Sequence, residues 1–398
     1  MNDIFYKNNI QKKFLIEKLS KKLTKNFFKI FDNISLDIKD NNKTLNILND
    51  KYKLNFNIKD LKVFNRFKTI AIIGMGGSIL GSEAIYSFLK TKIKKKFYFF
   101  DYLNTKKNLL FKEKENLNKV LFIAISKSGN TIETLSNLTD LKILKKNAKN
   151  IIIISEKNNN QLFRIANKFN LFFIEHKKNI GGRYSVLSEI GLVPAILMGI
   201  NFKKLRKNTL KFFKGKHKLF LKESTIKLAN LLKTKKIQNI IFLNYAPELE
   251  KFLFWCQQLL AESLGKEKKG FLPSISNVPK DYHSLLQLYL DGPKNKIFYF
   301  FSIDQKFQKK NTSESLEQIK NAQKKALIDV LKNKDIPFRE FQINSINEYN
   351  LGEIFSYFIL ETILVGKLTG INPYSQPAVD LVKLITKKKL GKNSKKNF

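Results

Sequence analysis

The chain has 398 residues, enough for two domains, or one large one, with a substantial core. Its hydrophobic fraction of 43% and its 35 phenylalanines argue against a disordered basic protein, although its net charge of +41 first suggests nucleic-acid binding. The lysines are spread along the whole chain and arginine is scarce, so we do not expect specific nucleic-acid binding as the main function. So high a charge should still attract anionic substrates.

Cysteine and histidine usage argues against disulfides and metal catalysis. Cys256 is the single cysteine, so we expect no intramolecular disulfide and no cysteine-based metal site. His176, His217 and His283 lie far apart, with no ligand spacing among them.

The N-terminal stretch MNDIFYKNNIQKKFL lacks an apolar core of signal-peptide length, and no apolar run reaches membrane length. We therefore expect a cytoplasmic protein that does not bind membranes.

The chain divides into an N-terminal segment and two α/β units. Residues 1–60 are rich in Lys and Asn with apolar residues at helical spacing, which predicts helices. Strand and helix patterns then alternate over residues 61–205, in TIAIIGMGGSILGSEAIYSFL, FYFFD, VLFIAISKSGNTIETLSNL, NIIIISE and LFFIE. A second set occupies residues 206–370 and includes IQNIIFLNY, PELEKFLFWCQQLLAESLG, KIFYFFSI and SLEQIKNAQKKALIDVL. For residues 371–398 we expect a turn at GINPYSQP, a helix and a frayed basic tail.

Alternation of strands and helices predicts a parallel sheet with helices on both faces in each unit. In open sheets of this kind the ligand binds beyond the carboxyl ends of the strands. Because there are two such units, the crevice between them is the expected active site.

Two loops in the first unit have the chemistry of an anion site. The GMGGS turn, residues 74–78, and the loop SKSGNTIET, residues 126–134, each follow a strand and precede a helix. A helix N-terminus offers unpaired N–H groups and a partial positive charge, which suit a phosphate or carboxylate. Neither loop has Walker or dinucleotide spacing, which favours a small phosphorylated metabolite. An ordinary strand-to-helix turn with a Ser or Thr cap remains the alternative.

Several polar residues further along are candidates for chemistry, although each also has a structural explanation. Arg183 in GGRYSVLSEIGL follows two glycines and is placed to stabilise negative charge, or else lies in a solvated turn. Glu262 in QQLLAESLGKE is otherwise a solvated helix-end glutamate, and His283 in NVPKDYHSLLQLYLDG a capping histidine. Gln376 and Lys383 lie in GINPYSQPAVDLVK. Because lysines are so abundant in this chain, an ordinary surface lysine is the alternative explanation for Lys383.

Taken together, these motifs resemble the glucose-6-phosphate isomerase (phosphoglucose isomerase) family, a tandem pair of sugar isomerase (SIS) domains. The motifs are GMGGS, SKSGNTIET, GGRYSVLSEIGL, AESLGK, HSLLQL and NPYSQPAVDLVK, in the family's order from about residue 70 to 383. The resemblance implies two SIS-type, flavodoxin-like domains. It also implies reversible aldose–ketose isomerisation of glucose 6-phosphate and fructose 6-phosphate through a cis-enediol, a step of glycolysis and gluconeogenesis.

The resemblance implies chemical roles for four residues and binding roles for eight more. Glu262 occupies the position of the family's glutamate in its Met-Glu-Ser-Asn-Gly-Lys motif, the base that moves a proton between C1 and C2. His283 resembles the ring-opening histidine and Lys383 its partner, while Arg183 resembles the residue that stabilises the enediolate. Contacts to the sugar or its phosphate are implied for Gly77, Ser78, Ser126, Lys127, Ser128, Thr131, Gln258 and Gln376. No metal or redox cofactor is implied.

Three departures from the family pattern leave room for altered specificity. Leu264 stands where the family usually has Asn, Leu290 where a second histidine is common, and SKSGNT replaces SKTFTT. A dual phosphoglucose and phosphomannose isomerase is therefore an alternative. The family's histidine comes from the neighbouring subunit, so the resemblance also implies a homodimer.

Three other functions are possible for this sequence. A non-catalytic sugar-phosphate-binding SIS protein would keep the phosphate loops but has no need of Glu262, His283, Arg183 and Lys383 together. The isomerase half of a glucosamine-6-phosphate synthase-like enzyme would need a nitrogen source, and no glutaminase domain or nucleophilic cysteine is visible. A basic nucleic-acid-binding protein would bind tightly in a base-dependent and salt-resistant way.

Overall fold

The computed structural model describes residues 4–304 and 314–394, whose strands form two five-stranded sheets. The N-terminal segment supplies β1 (Ile4–Asn9) and α1 (Glu17–Lys39). The strands of the first sheet are β2 (Thr69–Ile73), β3 (Lys96–Phe100), β4 (Val120–Ile125), β5 (Ile151–Ser155) and β6 (Phe172–Glu175). Its helices are α2 (Leu80–Phe88), α3 (Thr105–Lys114), α4 (Ile132–Asp140), α5 (Gln161–Phe169), α6 (Glu189–Leu197) and α7 (Phe202–Lys207).

The second sheet and the remaining helices follow. Its strands are β7 (Asn239–Asn244), β8 (Leu272–Asn277), β9 (Lys296–Ile303) and β10 (Phe338–Ile343), together with β1. The helices are α8 (Gly215–Thr234), α9 (Glu250–Leu264), α10 (Leu286–Asp291), α11 (Glu314–Asn333), α12 (Glu348–Thr369) and α13 (Pro377–Ser394).

Both sheets are covered on both faces, which confirms the two three-layer α/β units. In β4, Leu121 and Ile123 belong to one hydrophobic cluster, whereas Phe122 and Ala124 belong to another. Successive strand side chains point to opposite faces, so a cluster lies on each side of this sheet. In β7, Ile240 likewise belongs to the first of these clusters, whereas Ile241 and Leu243 belong to a third. Strands buried on both faces explain the continuous apolar runs in the sequence.

The strand order is flavodoxin-like in both units. The first sheet is parallel throughout, in the order β3-β2-β4-β5-β6. The second repeats this order as β8-β7-β9-β10, also in parallel, but its fifth position is taken by β1, which runs antiparallel to β10. The prediction of helices for residues 1–60 therefore missed a strand that completes the second sheet. The bounds of the four segments themselves stay a prediction.

A buried arginine attaches this N-terminal strand to the second unit. Arg339 of β10 is fully buried, and its guanidinium donates to Glu361 Oε1 at 2.7 Å, to the Tyr299 hydroxyl at 2.8 Å and to Asn8 Oδ1 at 2.8 Å. These partners lie on α12, β9 and β1. A buried charge is stable only when it is paired and hydrogen-bonded, and this network pairs it while joining four elements.

The C-terminal helices differ sharply in burial. Almost every residue of α12 is buried, as expected for a helix that is apolar on all sides. The helix predicted after the GINPYSQP turn is α13, but it continues to Ser394 through most of the basic tail, where we expected fraying. Its residues 377–391 are exposed. Among the described residues, no helix is both long and apolar enough to cross a membrane.

Candidate active site

The two predicted anion loops meet where the first sheet reverses its strand order. β2 and β4 are neighbours, and the chain leaves them in the loops 74–78 and 126–131 at their carboxyl ends. In a doubly wound sheet the crevice at such a switch point is where ligands bind. The loops thus lie at the place that topology favours for a ligand.

The loop after β4 is shaped by its own hydroxyl groups and by one glycine. Ser126 Oγ and Thr131 Oγ1 are 2.7 Å apart, which ties the start of the loop to the N-cap of α4. Gly129 has a φ of +63°, and a Cβ there would lie 1.7 Å from Asn160 Oδ1. No side-chain oxygen of Thr131 caps α4, so the helix keeps unpaired N–H groups for an anion.

Charged and polar side chains flank this loop. Lys127 Nζ lies 3.7 Å from the Glu156 carboxylate. Burial lowers the pKa of Lys127, and the nearby Glu156 partly offsets this effect. Ser128 is exposed, and its Oγ accepts a hydrogen bond from the Asn130 N–H at 3.3 Å. An arriving dianion would therefore meet a partly desolvated lysine and the exposed Ser128 hydroxyl, which accepts from Asn130 and can still donate its own proton.

The GMGGS loop packs directly against the turn that carries Arg183. A Cβ on Gly77 would lie 2.2 Å from the carbonyl carbon of Gly182, so only glycine permits this backbone approach. Ser185 Oγ donates to the carbonyl oxygens of Gly182, at 2.7 Å, and Gly77, at 3.2 Å. Ser78 is buried in the same loop. The first loop and the arginine turn therefore form one rigid wall.

Arg183 is the centre of the site, with all five of its N–H donors engaged. It is 2% exposed. Nε donates to Ser263 Oγ at 2.8 Å, while Nη1 donates to Glu262 Oε2 at 3.1 Å and to Gln376 Oε1 at 2.5 Å. Nη2 donates to the carbonyl oxygens of Pro373 at 2.6 Å and Ser375 at 3.2 Å. A guanidinium has five N–H groups in a fixed fork, and here each has an acceptor.

Glu262 is held between two partners and remains open to solvent. It lies in the last turn of α9 with its side chain 30% exposed. Its Oε2 accepts from Arg183, and its Oε1 accepts from Gln258 Nε2 at 3.0 Å. Gln258 lies one helical turn earlier on the same face of α9. A carboxylate fixed by two donors, yet accessible, can exchange a proton with a ligand.

The structure brings most, but not all, of the predicted residues together. Glu262, Arg183, Gln258 and Gln376 are linked by direct hydrogen bonds, and Gly77 touches the Arg183 turn. The hydroxyl loop borders them at the neighbouring strand end.

His283 and Lys383 stand apart from this cluster. His283 is exposed at the end of the 3-10 turn Lys280–His283. Lys383 is 63% exposed on α13, with its Nζ 3.9 Å from Asp380 Oδ1. Within the described part of the chain, the hydrogen bonds and ion pairs of the Glu262 carboxylate involve neither of them. Their roles stay predictions.

Three further residues of the site were not singled out from the sequence. Ser263 Oγ accepts from Arg183 and lies 2.8 Å from the buried Tyr184 hydroxyl, which donates in turn to the Pro373 carbonyl at 2.8 Å. Lys266 Nζ donates to the backbone carbonyls of Glu262 and Ser375. Ser263 and Lys266 belong to the AESLGK motif itself, so that motif already contained the signal. In the described ranges, no three His, Cys, Asp or Glu side chains gather as a metal site.

The chain is similar in sequence to known proteins over most of its length. A family model described as Phosphoglucose isomerase matches residues 57–277. A glucose-6-phosphate isomerase of Methanocaldococcus jannaschii is 33% identical over 349 residues, covering 83% of this chain and 86% of that protein. A glucose-6-phosphate isomerase of Campylobacter jejuni is 32% identical over 352 residues, covering 80% of this chain and 84% of that protein.

Two solved structures share the fold. A glucose-6-phosphate isomerase from Chlamydia trachomatis superposes with a TM-score of 0.81 at 16% identity, covering 99% of this chain and 89% of that one. A hypothetical protein from Thermus thermophilus gives a TM-score of 0.77 at 22% identity, covering 96% of this chain and 100% of that one. At these identities the likeness establishes the fold alone.

Proposed function

The chain belongs to the phosphoglucose isomerase family, and from this membership we propose that its site interconverts glucose 6-phosphate and fructose 6-phosphate with Glu262 as the base. The observation that carries this proposal is the Glu262 carboxylate, fixed between Arg183 and Gln258 and open to solvent. The isomerisation needs one base that reaches both C1 and C2, and a single positioned carboxylate supplies it.

The proposed steps balance without a cofactor. In the open-chain aldose, Glu262 takes the proton from C2, the C–H electron pair forms the C1–C2 double bond of a cis-enediolate, and the π pair of the C1 carbonyl moves onto O1. O1 then gains a proton and O2 loses its own, the electron pair of the broken O2–H bond forms the C2 carbonyl, and the C1–C2 π pair takes the proton back from the carboxyl group at C1, which gives the ketose. Arg183 stabilises the enediolate through its fixed positive charge, because its five donors are already engaged by the protein.

The phosphate end of the substrate is held by the two loops at the strand ends. Binding energy from this remote group orients C1 and C2 beside Glu262 and lowers the barrier for proton transfer. In this proposal, Gln258 and Gln376 line the sugar. The phosphate contacts are assigned to Gly77, Ser78, Ser126, Lys127, Ser128 and Thr131.

A coupled assay tests the activity directly. We expect the purified protein to form glucose 6-phosphate from fructose 6-phosphate, and in D2O to incorporate deuterium at C2 of the aldose. Mannose 6-phosphate is assayed in parallel. Equal turnover of both aldoses would replace the proposal with a dual phosphoglucose and phosphomannose isomerase. Binding of the sugar phosphates without turnover would leave a non-catalytic binding protein.

We further propose that the enzyme is a homodimer in which His283 completes the site of the other subunit and Lys383 joins it there. Two exposed features support this. His283 lies on the surface and is not among the described hydrogen-bond or ion-pair partners of its own Glu262 carboxylate. α13 leaves large apolar side chains in solvent, namely Val379, Leu381, Val382, Leu384, Ile385 and Leu390. An isolated helix of this length is marginal in water, so a second copy covering α13 would stabilise it and fix Lys383.

Mixing two inactive variants tests the shared site. We expect Glu262→Gln and His283→Ala each to be nearly inactive, and an equal mixture after subunit exchange to recover about a quarter of the wild-type activity, because half of the dimers are mixed and each has one intact site. The measurement is the coupled rate before and after exchange.

A mixture that should not recover provides the control. Glu262→Gln and Arg183→Lys both affect the same half of the site, so their mixed dimers contain no intact site. Suppose that subunit exchange is demonstrated and that the mixture of Glu262→Gln and His283→Ala has no more activity than the two variants measured separately. His283 then does not act across an interface.

We also place this enzyme in the cytoplasm. The proposed reaction belongs to glycolysis and gluconeogenesis, whose sugar phosphates are cytoplasmic metabolites. Cys256 is buried and free, and burial raises the pKa of its thiol, so it stays protonated and unreactive. A protein whose single cysteine is a buried thiol is compatible with a reducing compartment.

A further inference from the structure

Lys266 connects the helix of the proposed base to the loop that carries Gln376. It follows Gly265, where α9 ends, and its side chain folds back over the helix terminus. Nζ donates to the Glu262 carbonyl oxygen at 2.7 Å and to the Ser375 carbonyl oxygen at 2.7 Å. A cation at a helix C-terminus is favourable because the last carbonyls carry partial negative charge. Here the same cation also holds a second segment.

The loop 372–376 is held by two cations at one carbonyl. Ser375 O accepts from Lys266 Nζ and also from Arg183 Nη2 at 3.2 Å. Arg183 additionally binds the Pro373 carbonyl and the Gln376 side chain. The next residue, Pro377, begins α13 and so leads to Lys383. The position of this loop therefore governs both Gln376 and the start of the final helix.

We propose that Lys266 is a positioning residue whose ammonium group, together with Arg183, holds the loop 372–376 against the end of α9. This inference rests on the proposed function, because it assigns Lys266 a task in that same site. The residue touches backbone carbonyls and acts on the substrate only through Glu262 and Gln376.

The charge on Lys266 is sensitive to pH near neutrality. Burial lowers its pKa to about 8, the neighbouring Arg183 acts in the same direction, and Glu262 and Glu267 oppose them. Lys269 pairs with Lys266 through the backbone, while its own Nζ binds Glu267 at 2.9 Å. Charge-assisted hydrogen bonds are about twice as strong as neutral ones, so loss of this proton weakens the attachment of the loop.

The other titratable groups around the loop do not explain a change in this pH range. Tyr184 contacts the loop and Tyr374 belongs to it, and burial raises the pKa of each hydroxyl, which keeps both neutral. On α13, Asp380 and Lys383 lie in solvent within 3.9 Å of each other. We therefore expect rising pH to loosen the loop as Lys266 deprotonates at about pH 8.

Two variants and the pH dependence of kcat/KM test this role. We expect wild-type kcat/KM to fall as pH rises through about 8, because this parameter reports groups of the free enzyme. Lys266→Met should lower kcat about tenfold at pH 7, with KM changed less, because the reacting groups are misplaced. Lys266→Arg keeps its charge at all these pH values, so it should retain most activity and lose the decline near pH 8.

Lys269→Met is the matched control, since Lys269 lies in the same turn and, among the described residues, its side chain hydrogen-bonds with Glu267 alone. It should keep the wild-type kcat and pH profile. The inference is overturned if Lys266→Met behaves like this control, or if Lys266→Arg keeps the decline near pH 8. If Lys266→Met fails to fold, as judged by its thermal transition, the pH profile of kcat/KM of Lys266→Arg tests the inference by itself. A wild-type protein without isomerase activity at any pH would instead refute the proposed function.

Discussion

Replacing Glu262 with Gln is expected to lower kcat for fructose 6-phosphate by about 10²- to 10⁴-fold, the usual contribution of a positioned general base. An amide cannot take a proton from carbon, so exchange of the C2 hydrogen with D2O should be lost as well. KM should change by less than about threefold, because the phosphate loops are untouched and supply most of the binding. The measurements are the coupled rate and NMR detection of deuterium at C2.

The site should accommodate this amide without rearrangement. Glu262 Oε2 faces Arg183, so the amide oxygen of the variant can keep that position and accept the same hydrogen bond. The amide NH2 then faces Gln258, whose Oε1 is buried without a hydrogen-bond partner among the described atoms. Rotation of the Gln258 amide by half a turn presents that oxygen to the new donor. The loss of activity can therefore be attributed to the missing base.

A glutamate elsewhere serves as the control for this substitution. Glu223 on α8 pairs with Lys227 at 2.6 Å, and its side chain is half exposed. Glu223→Gln should leave kcat and KM at their wild-type values. Deuterium incorporation at C2 by Glu262→Gln at the wild-type rate would show that another group is the base.

The fold was predictable because its strands are long apolar runs. β2, β4, β5, β7 and β9 are buried on both faces, so the sequence shows them without interruption. β10 contains Arg339 and Glu340, and β8 contains a proline and two serines, so neither forms such a run. β1 lies at a sheet edge and pairs with a strand more than 300 residues away, which no local pattern reveals.

The site was predictable only in part, because it is built from distant segments. Arg183 lies 79 residues from Glu262 and 193 residues from Gln376, yet one guanidinium binds both. Locally each of these residues also fits a solvated turn or helix end, and only the order of the motifs linked them. Ser263 and Lys266 were missed because they serve neighbouring groups rather than the substrate. The roles of His283 and Lys383 stay predictions, because the proposal for them includes a second subunit that a single chain does not contain.

Arg183→Lys is expected to have the second largest effect, on both activity and stability. Lysine offers three donors from one point, whereas the arginine fork satisfies five acceptors on two other segments, the end of α9 and the loop 372–376. At least two acceptors therefore lose their partner, which should lower the free energy of unfolding by about 2 kcal/mol. We expect kcat to fall about 10²- to 10³-fold, because a lysine ammonium lacks the five hydrogen bonds that fix the positive charge beside the developing enediolate.

The two consequences of Arg183→Lys separate the structural support that the guanidinium gives from the placement of its positive charge, because lysine keeps the charge but not the fork. Urea denaturation measures the first, and the coupled rate measures the second under conditions where the variant is folded. Arg164→Lys on α5 is the control, because its guanidinium contacts only the exposed Asn159 among its described partners, and stability should change by less than about 0.5 kcal/mol. A variant that is destabilised but keeps the wild-type kcat would show that Arg183 braces the loop 372–376 without acting on the enediolate. A loss of kcat at unchanged stability would show that Arg183 acts on the enediolate without bracing the loop 372–376. Because every N–H of Arg183 is already bound by the protein, we expect both effects together: its charge reaches the substrate from a position that the same five hydrogen bonds fix.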